Sequence, residues 1–179
     1  MKLLQKISII AGGIITVPLI TALFLKKQYA VERRITVNRP KNEVFEYIKY
    51  LKNQDNYSKW STMDPSMEKT YRGTDATIGF VSAWSSQKSD VGKGEQEITQ
   101  IKEGERVDYE LRFIKPFKST SEAYMATERV SDKQTAVIWG VNGQINYPMN
   151  LMLLFMDFDK MLGDDLEQGL RNLKSKLEK

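Results

Sequence analysis

The chain has 179 residues of ordinary globular composition, 27 of them basic and 23 acidic, and it contains neither cysteine nor histidine. Without cysteine there are no disulfides, thiolate nucleophiles, cysteine metal sites or lipidated cysteines, and without histidine the commonest general base and metal ligand is gone. The excess positive charge sits in residues 1–27, where Lys2, Lys6, Lys26 and Lys27 face no acid; the rest is balanced, which argues against the concentrated basic face that nucleic acid requires.

Ile7 to Leu25 reads ISIIAGGIITVPLITALFL, 19 residues without a charge. As a helix this run spans about 28 Å, against a hydrocarbon core of about 30 Å. Lysine pairs flank it on both sides, and Pro18 and the Gly12-Gly13 pair are tolerable in a membrane helix. A cleaved signal peptide calls for a shorter apolar run and small residues before the cut, whereas this run ends in Leu23-Phe24-Leu25-Lys26-Lys27. The expectation is an uncleaved single-pass anchor over residues 1–27 followed by one domain over 28–179. Lys26, Lys27, Arg33, Arg34 and Lys41 outnumber Lys2 and Lys6, which points to a cytoplasmic C-terminal domain.

Tyr29 to Val37 alternates as a strand, with Val31, Arg33, Ile35 and Val37 on one face. Asn38-Arg39-Pro40 stops it and opens a helix, since proline has the φ of a first helical position and lacks only an orphan donor. Val44, Phe45, Ile48 and Leu51 give that helix an apolar face. Asn53 to Trp60 reads as a short, polar second helix or turn. Six strands follow, divided by turn residues: Met67–Arg72, Ile78–Trp84, Gly92–Ile101, Arg106–Ile114, Lys118–Val130 and Thr135–Gly143. Their alternation suits an antiparallel sheet with one wet face. Leu151, Leu154, Phe155, Phe158, Met161, Leu162, Leu166, Leu170, Leu173 and Leu177 then recur at three and four, as in one long amphipathic helix. Gly163 and Gly169 inside it suggest a bend or a close approach to the sheet.

The order is therefore α+β: strand, helix pair, six antiparallel strands, long helix. The segment ERRITVNRPKNEVFEYI (Glu32–Ile48), Trp60, the strand run and YPMNLMLLFMDFDKMLGDDLEQGLRNLK (Tyr147–Lys174) together resemble the polyketide cyclase/dehydrase branch of the START-like, or SRPBCC, superfamily. That resemblance implies a helix-grip fold, a curved sheet of about seven strands wrapped on the C-terminal helix with a cavity between them. Members include lipid carriers, hormone receptors, aromatic cyclases and chaperone activators, and fold alone does not choose among them.

Given that fold, candidate cavity residues are Trp60, Phe80, Trp84, Tyr109, Leu111, Phe113, Tyr124, Trp139, Met149, Met152, Phe155 and Met156. Apolar residues at strand and helix periodicity normally fill a core; the resemblance is what favours an open cavity. On Thr120–Glu128, Glu122 shares a face with Tyr124, so an inward Tyr124 makes Glu122 a buried carboxylate of raised pKa, a candidate acid or ligand-orienting group; the ordinary reading is a solvated charge on the outer face. No hydrolase motif, phosphate loop or metal constellation is present, and Asp157, Asp159, Asp164 and Asp165 read as a solvated helix face. Neither cofactor nor metal is expected. The leading expectation is a membrane-anchored, non-catalytic domain binding a lipid or other apolar small molecule. The alternatives are a cyclase or dehydratase using a buried carboxylate or tyrosine, and a protein-interaction domain like the chaperone activators.

Overall fold

The computed structural model describes residues 3–179, and for residues 3–12 and 15 the backbone only. Helix α1 spans Leu3–Phe24 and contains Pro18. Among the described residues no helix is long and apolar enough to cross a membrane; the side chains of the first part of the Ile7–Leu25 run lie outside that description.

Strand β1 (Gln28–Val37) leads into α2 (Lys41–Ile48), a 3-10 turn (Leu51–Asn56) and α3 (Lys59–Met63). Pro40 caps α2 rather than opening it, and its carbonyl accepts from Val44 N at 3.2 Å. Val44, Phe45, Ile48 and Leu51 are buried, as their spacing predicts. The remaining strands are β2 (Glu68–Arg72), β3 (Val81–Ser85), β4 (Lys93–Lys102), β5 (Arg106–Lys115), β6 (Ser119–Ser131) and β7 (Gln134–Gln144). All pair antiparallel in one sheet of order β1-β7-β6-β5-β4-β3-β2. The first strand thus joins the last, and the sheet curls around the C-terminal helix.

The single long C-terminal helix is interrupted. A 3-10 turn (Met149–Leu151) and the short α4 (Met152–Phe155) precede α5 (Phe158–Leu177), and Met156 between them is extended. The break lies at Asp157, whose carboxylate accepts from Lys160 N at 2.9 Å and caps α5, a local bond that competes with helix continuation. The resemblance-based architecture holds: a seven-stranded curved sheet, short helices after the first strand, and a long helix in its grip.

Helix α5 buries Leu166, Leu170 and Leu173 against the sheet. The core beneath it collects Val31, Val37, Phe45, Ile48, Met125 and Trp139. Both helix glycines work by letting large side chains close in. Gly163 lies under the Arg33 guanidinium, which holds Asp159 through both carboxylate oxygens at 3.0 and 2.9 Å. Gly169 lies under Trp139.

Candidate functional site

Between the concave face of the sheet and the helices lies a cavity of about 300 Å³. Its walls come from four directions. Strands β3 to β5 supply Trp84, Tyr109, Leu111 and Phe113; β6 and β7 supply Ser121, Ala123, Trp139 and Val141. The 3-10 turn and α3 supply Gln54, Ser58 and Trp60, and α5 supplies Leu162. The aromatic rings meet edge to face, Trp60 on Trp139 at 6.1 Å and Trp84 on Phe113 at 5.9 Å, the geometry that ring quadrupoles favour. All three tryptophans of the chain line this cavity.

Its polar groups are few and deeply placed. The Tyr109 hydroxyl and the Gln54 amide nitrogen are both buried without a hydrogen-bond partner. Gln54 Oε1 accepts from Gln96 Nε2 at 3.1 Å; the Gln54 amide neighbours the Tyr109 hydroxyl and its hydrogen-bonding pull works against the rise in that tyrosine's pKa, although the geometry between them falls short of a hydrogen bond. Burial pushes the Tyr109 hydroxyl well above its ordinary pKa, with Tyr57 adding to the effect, so it is a neutral donor. A buried polar atom left unpaired costs about 1–3 kcal/mol, and two on one cavity mark where a ligand's polar end would be held.

Charge is confined to the rim and already engaged in part. Asp55 pairs with Lys69 at 2.7 Å and accepts from the Tyr71 hydroxyl at 2.7 Å, while Asp90 and Lys115 are exposed. The rim loop after β3 is pinned by Asp64, which accepts from the Ser66 hydroxyl at 2.6 Å and the Ser86 hydroxyl at 2.5 Å. These bonds, Ser66 foremost, hold the Asp64 carboxyl below the usual carboxylate range. Trp84 Nε1 donates to Val91 O at 3.2 Å across the same loop.

Six of the twelve expected side chains come together here: Trp60, Trp84, Tyr109, Leu111, Phe113 and Trp139. The others lie elsewhere. Phe80 is in the closed core, stacked on Tyr71 at 6.2 Å. Tyr124 faces outward, because β6 turns Ser121, Ala123, Met125 and Thr127 inward. Its ring crosses Gly140, its hydroxyl donates to Glu32, and the Arg106 guanidinium covers it at 3.7 Å. Burial and Glu32 push its pKa up to about 12. Glu122 shares that outer face and is exposed, so it is no buried carboxylate. Met149, Met152, Phe155 and Met156 precede the α5 cap and do not reach the cavity; Phe155 is 84% exposed. Conversely, Tyr29, Gln54, Gln96 and Ser121 line the cavity without having been expected there. Small polar residues in a strand carry no periodic signal; for Tyr29 and Ser121 the clue was Gly143, which stands between them in register and leaves room for the ring.

A larger, open hollow of about 940 Å³ lies outside the sheet, where Leu25–Lys27 and the start of β1 pass Glu110, Glu122 and Asn142. Its lining is open and half polar, and it carries the charges of Lys26, Lys27, Glu110 and Glu122. Tyr29 and Ser121, whose hydroxyls are 3.3 Å apart, line both spaces and form the partition between them.

Among the described residues no cluster of three or more acidic side chains is placed to hold a metal ion. Asp157 caps α5, Asp159 holds Arg33 and Asp165 pairs with Lys59.

A curved sheet gripping a long helix around an aromatic-lined cavity defines a helix-grip domain. More narrowly, the chain belongs to the family described as polyketide cyclase / dehydrase and lipid transport, which it matches over residues 28–178. A comparison with curated proteins finds no match. Among solved structures, a protein of Nitrosospira multiformis is 16% identical with TM-score 0.58, covering 83% of this chain and 95% of its own. Major latex-like protein 151 of Panax ginseng is 13% identical with TM-score 0.57, covering 83% and 97%. The Aha1 dimer of Colwellia psychrerythraea is 14% identical with TM-score 0.57, covering 84% and 96%. At such identities the likeness is one of fold.

Proposed function

We propose that this protein is a membrane-tethered, non-catalytic binding module for a lipid or other apolar small molecule held in the internal cavity. The observation that carries the reading is the cavity's make-up: apolar aromatic walls with an unpaired tyrosine hydroxyl and amide at depth. Burying a ligand's apolar surface there is worth about 25 cal/mol per Å², and a few placed polar groups set its orientation. A volume of about 300 Å³ is at the lower end of small-molecule pockets, which favours a compact ligand or one segment of a longer one. The family's description, naming both cyclase/dehydrase and lipid transport, is consistent with such a ligand. Binding is preferred to catalysis because no free carboxylate reaches the depth of the cavity among the described residues and burial keeps Tyr109 protonated, which rules it out as a general base.

Tethering rests on the uncharged Ile7–Leu25 run and its flanking lysines, which suit a single-pass helix. The basic residues that follow favour a cytoplasmic domain. An anchor of this kind keeps the cavity near the bilayer, where apolar ligands partition.

The test uses the tryptophans. Purified full-length protein in detergent is titrated with a fatty acid, a sterol and an aromatic polyketide-like compound. A saturable change in tryptophan emission with a rise in Tm is expected for at least one. Absence of both, together with no co-purifying apolar compound by native mass spectrometry, refutes the proposal.

A further inference from the structure

We infer that the segment Met149–Met156 is a second lipid contact, lying in the bilayer surface beside the anchor and setting the Tyr29 end of the cavity against the membrane. The inference rests on the anchor reading of α1. Ile145 to Met156 is 12 residues without a charge, yet it is not core: Met149 and Leu154 are each 54% exposed and Phe155 84%. Such a cluster is unfavourable in water and is expected to be covered.

Three observations identify lipid as the cover. First, the segment is bonded to the end of the anchor. Asn150, fully buried, donates from Nδ2 to Ala22 O at 2.7 Å, and Ile145 N donates to Lys27 O at 2.7 Å. The last carbonyls of a helix have no intrahelical partner, and satisfying them from this segment fixes it at the depth where α1 ends. Second, α1 carries its own exposed apolar side chains up to the junction, Val17, Ile20, Leu23 and Phe24, so the two apolar surfaces adjoin. Third, the composition suits an interface: Tyr147, methionines, leucines and a phenylalanine beside Lys26 and Lys27, where aromatic rings and lysines favour the headgroup region.

The consequence concerns access. Phe158, two residues beyond Met156, packs on Tyr29 at 5.3 Å, and Tyr29 with Ser121 partitions the cavity from the outer hollow beside the linker. A ligand leaving the bilayer at this surface therefore meets the Tyr29 partition first.

The chain has no cysteine, so a single introduced thiol reports position. Full-length Phe155→Cys and, separately, Leu154→Cys are labelled with an environment-sensitive fluorophore and reconstituted into phosphatidylcholine–phosphatidylglycerol vesicles. Lys133→Cys, at the opposite end of the sheet from the Gln28–Gln144 pair, is the control. Labels at 154 and 155 are expected to shift to shorter wavelength and to lose most of their emission to nitroxide lipids, while the label at 133 does neither. If the protein floats with vesicles but labels at 154 and 155 stay in water, this inference fails and the anchor stands. If it does not float at all, the anchor reading fails and takes this inference with it. If the labels shift but only cross-linking between copies accounts for it, a second chain covers the segment and the lipid assignment is overturned.

Discussion

Trp139 of β7 rests on Gly169 of α5 so closely that a Cβ at position 169 would stand 2.7 Å from the ring. The same ring lines the cavity and meets Trp60 edge to face. The glycine is therefore what lets the helix and the sheet approach around a tryptophan that also walls the cavity.

Gly169→Ala tests that relationship. Alanine is about 1 kcal/mol better than glycine inside a helix, but overpacking a closed contact costs about 1–3 kcal/mol. The variant should lose between nothing and about 2 kcal/mol of stability by these figures. Relief by moving Trp139 takes space from the cavity, so apolar ligand affinity should fall by about tenfold, the equivalent of about 1.4 kcal/mol. Denaturant unfolding and a fluorescence titration on the same sample separate the two effects. An unchanged affinity with a lower midpoint would make Gly169 a packing residue only.

Tyr109→Phe removes a buried hydroxyl that has no hydrogen-bond partner within the protein. Because no hydrogen bond within the protein is lost, the variant should be as stable as the parent or more so, by up to about 1–3 kcal/mol. A ligand with a polar end should bind about tenfold more weakly, while a pure hydrocarbon should bind as before. The same residue gives a pH signature. Burial raises the Tyr109 and Tyr57 pKa values in the folded state, so their protonated forms persist when unfolded tyrosine, at about 10, would ionise. The unfolded state then binds fewer protons than the native, and stability falls as pH rises above about 10. Denaturation midpoints across the alkaline range should drop less steeply in Tyr109→Phe than in the parent; equal slopes would show that Tyr109 does not carry this loss.

The fold was legible because its periodicities are strong and local: the alternation of Val31, Arg33, Ile35 and Val37, and the spacing of Leu166, Leu170 and Leu173. The cavity was legible only where aromatic residues sat on an unambiguous face, as Tyr109 and Phe113 do. Strand β6 was ambiguous, because the large aromatic Tyr124 shares a face with the charged Glu122 and Glu128, while the opposite face offers only the small Ser121 and Ala123 beside Met125. Gly140, across the sheet from Tyr124, is what receives the ring on the outer side, and that partner is invisible from within the strand. The 3–4 spacing of Met152 to Phe158 could not show the break, since the apolar pattern runs through it while the Asp157 cap ends one helix and starts another. Spacing says that a segment is apolar; whether core, cavity or lipid takes it depends on what tertiary structure brings alongside.

Arg112 shows the same dependence on partners on the wet face of the sheet. Its guanidinium reaches Glu110 at 2.6 Å, Glu97 at 2.7 Å and Glu95 at 2.9 Å, and Arg72 joins Glu95 at 2.9 Å. Like charges facing one another across strands destabilise a sheet, and Glu97 stands directly opposite Glu110. Arg112→Met keeps an unbranched apolar stem and removes the charge that compensates them. All of these groups are partly solvated, so the loss is expected at about 1–2 kcal/mol rather than the value for a buried pair. Glu95 is held below the usual carboxylate range by Arg72 first and Arg112 next. A depressed folded pKa contributes stability that is present at neutral pH and lost as the carboxylates protonate. The difference between parent and variant should therefore be largest near neutrality, shrink as pH falls through about 4, and shrink in molar salt. Urea midpoints measured at neutral and acidic pH, each at low and high salt, decide it: a difference insensitive to both would mean that Arg112 acts through the packing of its guanidinium plane and not through its charge.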